Sequence, residues 1–148
     1  SLVLNKIELI INKYLFKNDL LGMTWGAGMT FIVQSSSVTT SLIVPLAGAG
    51  IVSLRKIFPY TMGANIGTTG TALLAALATG NPVAVTASFA HLIFNIFGII
   101  IFYPLKFIPI KMAESASEYV SNSKANLIKF LIVYSMIYFI PIGFIVLF

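Results

Sequence analysis

Two apolar stretches of similar length, residues 20–33 and 38–53, flank the run QSSS at 34–37, and neither crosses a bilayer comfortably. An α-helix rises about 1.5 Å per residue, so the first stretch reaches ~21 Å against a hydrocarbon core of ~30 Å. The second is interrupted by Pro45, Gly48 and Gly50. Apolar segments of this length re-enter or lie in the interface more often than they span. A helical hairpin over residues 20–54 places its polar tip near the bilayer midplane, where non-helical backbone is tolerated only if protein packs it or it lines a wet cavity.

Composition supports the lipid setting. Of 148 residues 58% are hydrophobic and 9% charged, and the mean hydropathy is +0.98; soluble domains run near ~45–50% apolar and ~25% charged. Without cysteine, the chain has neither a disulfide framework nor a thiolate metal site. The net charge of +5 comes from lysines and one arginine placed between the apolar runs, as expected of residues meeting headgroups rather than nucleic acid. The opening SLVLNKIELI has no initiator Met and no signal-peptide pattern, so the chain is expected to begin mid-protein.

The expected architecture is an all-α integral membrane unit spanning residues 1–148. Residues 1–18 read as an interfacial amphipathic helix and 20–54 as the re-entrant hairpin. Residues 56–79 read as a transmembrane helix broken at GANIGTTGT (63–71), and Gly80-Asn81-Pro82 as a turn. A transmembrane helix over 83–107, a polar loop over 108–123 and a last transmembrane helix over 124–148 complete the layout. In it Lys6, Lys13, Lys17, Arg55, Lys56, Lys106, Lys111 and Lys124 fall on one side and the uncharged turn on the other. By the positive-inside rule the charged side is cytoplasmic.

The polar clusters carry the function. Isolated Ser and Thr in membrane helices usually bond back to their own carbonyls or hold helices together. Gln34 with the hydroxyls of QSSSVTTS, at a hairpin too short to span, reads better as a binding site, because the tip also exposes helix-end amide groups. In GANIGTTGT, Gly63 and Gly67 are four apart and fit a helix-packing face. The alternative is an unwound segment whose carbonyls, with Asn65, Thr68 and Thr71, hold a small cation. A phosphate-binding loop would need Lys after its last Gly, and Thr68 stands there. His91 and Asn95 share a helix face and read first as a hydrogen-bonding pair holding helices together. The acids Glu8, Asp19, Glu114 and Glu118 all lie in flanks or loops. A serine hydrolase is disfavoured, since the G-x-S-x-G context is missing. No cofactor is called for, and the chain is not read as an enzyme.

QSSSVTTS, PYTMGANIGTTGTALLAALA and FAHLIFN, in that order, resemble the second QSSS repeat of the type II sodium–phosphate cotransporters, with GAGMTFIV and FYPLKFIPIKMAE extending the likeness over residues 20–148. The resemblance implies a transporter of two inverted repeats whose hairpin tips jointly bind inorganic phosphate, with sodium as coupling ion. It places Ser35, Ser36 and Ser37 at phosphate, and Gln34, Asn65, Thr68 and Thr71 at sodium. Some relatives carry Ser where this chain has Ala64. Only one QSSS occurs here, so the implied partner is a missing N-terminal repeat or a second copy of the chain, within a multi-pass cell-membrane protein. The same pattern implies a cytoplasmic C-terminus, which puts residues 106–124 outside, against the charge count. Two alternatives remain at this stage, a non-transporting membrane assembly module and a hydroxyl-lined channel subunit.

Overall fold

The computed structural model describes Lys6 and residues 9–147, so part of the amphipathic segment expected over 1–18 lies outside the described residues. The chain divides into two compact units, Ser1–Lys106 and Phe107–Phe148. All regular structure among the described residues is helical: a short π-helical turn (Ile11–Leu15), α1 (Asp19–Val33), α2 (Ser36–Gly48), α3 (Leu54–Thr79), α4 (Pro82–Phe102), α5 (Phe107–Ser121) and α6 (Lys124–Leu147).

Local chemistry sets each boundary in the first unit. Asn18 is extended and its side chain accepts the Leu21 N–H at 2.7 Å, capping α1, while Asp19 places a negative charge in the first turn. After α1 the chain reverses through two residues. Gln34 is left-handed (φ 58°, ψ 23°), with its N–H on Thr30 O at 2.6 Å, and Ser35 is extended. The Ser35 hydroxyl accepts the Val38 N–H at 3.3 Å and caps α2. Gly50, at φ 73°, turns the chain again, and the Ile51 N–H returns to Leu46 O at 2.9 Å. Phe16, Ile43, Val52 and Tyr60 close a small core around this base, with the Phe16 and Tyr60 rings 5.8 Å apart.

α3 packs on α1 backbone to backbone. A Cβ on Gly63 would collide with Met23 O, one on Gly26 with Tyr60 O, and one on Gly67 would stand 2.5 Å from Ala27 O. Contacts climb in the same order along both helices, from Gly22 beside Lys56 to Phe31 beside Gly70, so α1 and α3 run parallel. α2 returns against both, which makes α1 and α2 a hairpin. The 26 residues of α3 extend ~39 Å and the 15 of α1 only ~22 Å. The hairpin tip therefore stops beside the middle of α3.

The sequence reading expected a break within residues 56–79. The structure corrects this: α3 is α-helical from Leu54 to Thr79, straight through GANIGTTGT. Its glycines are used for close packing on α1. Its threonines bond to their own helix, Thr68 Oγ1 to Ala64 O (3.3 Å), Thr69 Oγ1 to Ile66 O (3.0 Å) and Thr71 Oγ1 to Thr68 O (2.8 Å), so no backbone need unwind to satisfy them. Gly80 (φ 64°) then ends α3, and Asn81 Oδ1 caps α4 by accepting from Val83 N (2.9 Å), with Pro82 at the helix start, which is the expected turn. α4 runs back along α3, and Tyr103 Oη donates to Asp19 Oδ2 at 2.9 Å beside the Lys106–Asp19 ion pair. The starts of α1 and α3 and the end of α4 thus share one end of the unit.

In the second unit α5 and α6 form a helical pair joined at residues 122–123, where Asn126 Nδ2 donates to Tyr119 O at 3.0 Å. The polar loop expected over 108–123 is also corrected. Met112, Ala113, Glu114, Ala116 and Glu118 are ordinary helix formers, and the charges of Lys111, Glu114 and Glu118 mark exposure rather than irregular backbone. Two helices among the described residues are long and apolar enough to cross a membrane, Pro82–Phe102 and Lys124–Ile145. Both leave large side chains such as Phe94, Ile100, Leu131 and Ile137 exposed, the state expected of helices that lipid or neighbouring helices would cover.

Candidate functional site

The hairpin tip is built from strained and helix-end backbone. A non-glycine residue in the left-handed region costs about 1–2 kcal/mol, and Gln34 is the only such residue among those described. The reward is a turn of two residues that aims the first turn of α2 at α3. The Ser36 and Ser37 N–H groups occupy that first turn, where no intrahelical acceptor exists.

Beside the tip lies a polar cavity of about 200 Å³ lined by Ser36 of α2, Asn65 and Thr68 of α3, and His91 and Asn95 of α4. Three helices converge there for separable reasons. The two-residue turn fixes Ser36. The glycine contacts fix α3 against α1, which presents Asn65 and Thr68. Asn95 Nδ2 donates to Asn65 O at 3.4 Å and ties α4 to the same level of α3. No lysine, arginine or carboxylate lines the cavity. Among the described residues no group of three His, Cys, Asp or Glu side chains could hold a metal ion, and the side-chain oxygens that line the cavity are the neutral ones of Ser36, Asn65, Thr68 and Asn95.

Of the seven residues expected at the site, the structure brings Ser36, Asn65 and Thr68 into this one cavity. Ser35 is half-buried and caps α2, Gln34 and Ser37 are exposed on the tip, and Thr71 sits one turn beyond Thr68 on α3; none of these four lines the cavity. Ala64 is fully buried and points into the helix packing, so a hydroxyl at that position would face protein. His91 and Asn95 were legible as a pair on one helix face, but not as cavity walls. Their reach to α3 depends on how α4 folds back after the Gly80-Asn81-Pro82 turn. Next to the cavity an apolar groove of about 290 Å³, walled by Phe58, Met62, Phe94, Gly98, Ile99 and Phe102, shares Asn65 and Asn95 with it.

Residues 1–117 match the family model described as Na+/Pi-cotransporter. The chain belongs to this family. It is 45% identical over 122 residues to sodium-dependent phosphate transport protein 2B of Bos taurus, an alignment covering 79% of this chain and 18% of that protein. It is 46% identical over 124 residues to the Homo sapiens 2B protein (80% and 17%) and 43% identical over 127 residues to the 2A protein of Rattus norvegicus (78% and 20%). The chain thus spans about a fifth or less of the length of these relatives, which are transport proteins and not enzymes. No solved structure matches it.

Proposed function

We propose that the chain is half of a sodium-coupled inorganic phosphate symporter of the cell membrane, contributing one QSSS hairpin and α3 to a site shared with a second QSSS repeat. That repeat is supplied by the same polypeptide or by a second copy. The observation that carries this reading is the polar cavity without fixed charge at the tip of a hairpin that stops beside the middle of α3.

Phosphate brings one to two negative charges, and an unpaired ion in a low-dielectric site costs many kcal/mol. With no lysine or arginine on the cavity wall, the counter-charge arrives with the substrate. At ~4 Å and an effective dielectric near ~20, one sodium–phosphate contact gains about 4 kcal/mol, enough to make phosphate binding conditional on sodium. Ser35, Ser36 and Ser37, with the first-turn N–H groups of α2, are assigned to phosphate. Gln34, Asn65, Thr68 and Thr71 are assigned to sodium. Because α3 is continuous, its cation ligands are side-chain oxygens rather than unwound carbonyls. Such neutral oxygens suit a hard monovalent cation that must also be released. The glycine contacts of α1 on α3 make the hairpin and α3 a single moving body during alternating access.

Radiolabelled phosphate uptake by the full-length protein tests this. Apparent phosphate affinity is expected to rise steeply with sodium, and Gln34→Ala or Ser36→Ala to abolish uptake while the protein still reaches the membrane. Sodium-independent uptake, with normal rates in both variants, would sink the reading.

A further inference from the structure

The cavity has a third wall for which the assigned phosphate and sodium ligands give no role, the His91 and Asn95 side chains of α4. The five lining groups sort by where their hydrogens already go. The Thr68 hydroxyl donates to Ala64 O, and the Asn95 amide nitrogen donates to Asn65 O, so both offer oxygen to whatever fills the space. That suits a cation. Among the described residues neither the Ser36 hydroxyl nor the His91 ring donates a hydrogen bond, and both line the same cavity. That suits an anion. An imidazole carries at least one N–H in either tautomer and in either charge state, so the donor at His91 is permanent. The packing role first read for the pair fits Asn95, which bonds across to α3; His91 is exposed on the same helix and makes no such bond among the described residues.

We propose that His91 is a phosphate-contacting residue: its ring N–H and the Ser36 hydroxyl are the cavity's donors to the anion, and Thr68 Oγ1 and Asn95 Oδ1 are its acceptors toward the cation. The proposal rests on the symport reading above. It adds α4 to the site.

The test is phosphate uptake kinetics of the full-length protein in proteoliposomes, with His91→Leu and His91→Gln. A hydrogen bond to a charged group is worth enough that His91→Leu should raise the phosphate KM at saturating sodium about tenfold or more. His91→Gln restores an N–H donor and should hold KM within about threefold of the parent. Sodium half-saturation at saturating phosphate should move less than about twofold in both, since the oxygens assigned to the cation are unchanged. KM does not depend on how much protein inserts, so weak expression leaves the test valid. A phosphate KM unchanged in His91→Leu, or a loss confined to the maximal rate, overturns the assignment and leaves the symport reading standing. Parent protein that shows no sodium-dependent uptake overturns both.

Discussion

Glycine at 63 and 26 is required by contact, not by backbone angle. Both residues are helical, yet each faces the backbone of the opposing helix so closely that a methyl group has nowhere to go. Gly63→Ala must push α1 and α3 apart along the seam that also positions Asn65 and Thr68. Overpacking of this kind typically costs about 1–3 kcal/mol, and more when the obstruction is backbone. Gly28, in the same helix as Gly26, has nothing within 4 Å of an added Cβ, so Gly28→Ala should be neutral or stabilise by about 0.5–1 kcal/mol through helix propensity. Thermal unfolding in detergent separates the two. Equal melting temperatures for Gly63→Ala and Gly28→Ala would show that the seam is looser than described.

Some elements are announced by local signals, and the two misses have different causes. The hairpin over 20–54 follows from the lengths of its apolar limbs, and the turn at 80–82 from Gly-Asn-Pro; both are local signals. The continuity of α3 was not legible, because GANIGTTGT supports either an unwound stretch or a packing face. What decides between them is Met23 and Ala27 on a helix some forty residues earlier. The helical state of 107–121 was missed because charge was read as loop. The site was half legible: residue type singled out Ser36, Asn65 and Thr68, whereas His91 entered only once α4 was seen to return along α3.

At the same scale lies the tie between α1 and the end of α4. The Lys106 ammonium, through its hydrogen bond, holds the Asp19 carboxyl below its ordinary 3.8, against the opposing effect of partial burial. Asp19 in turn holds Lys106 above its ordinary 10.5. For the acid, the linked stability is fully present above 3.8 and is lost as pH falls through the depressed folded value. For the base, it is present below 10.5 and lost as pH rises through the raised value. Between about pH 5 and 9 this pair therefore adds no pH dependence. Asp19→Asn should cost less than about 1 kcal/mol in that window, since the pair is partly exposed, and should remove its share of the acid-side loss. A pH–stability profile of the variant that steepens near neutrality would contradict the assignment.

For the molecule as a whole, the question is how the first unit sits in a membrane, and its own geometry makes the answer measurable. The hairpin begins and ends at the end of the unit that carries Arg55, Lys56 and Lys106, while Asn81 stands at the far end of α3. If the hairpin re-enters, Asn18 and Ser53 lie on one face of the bilayer and Asn81 on the other. If residues 20–54 instead crossed as one segment, Asn18 and Ser53 would part company. The chain lacks cysteine, so Asn18→Cys, Ser53→Cys and Asn81→Cys, with native cysteines outside this segment removed in the full-length protein, can each be labelled with an impermeant maleimide from either side. The expected pattern is Asn18→Cys and Ser53→Cys reacting from the same side and Asn81→Cys from the opposite one. The side on which Ser53→Cys reacts also settles the conflict between the positive-inside count, which makes the charged end cytoplasmic, and the family likeness, which makes it external. The outcome bears on mechanism as well. A hairpin that enters and leaves on one face can present its tip to a midplane site, whereas a segment that crosses would carry Ser36 through the membrane as a fixed wall. Asn18→Cys and Ser53→Cys labelled from opposite faces would therefore remove the hairpin tip as a shared, moving half of the site.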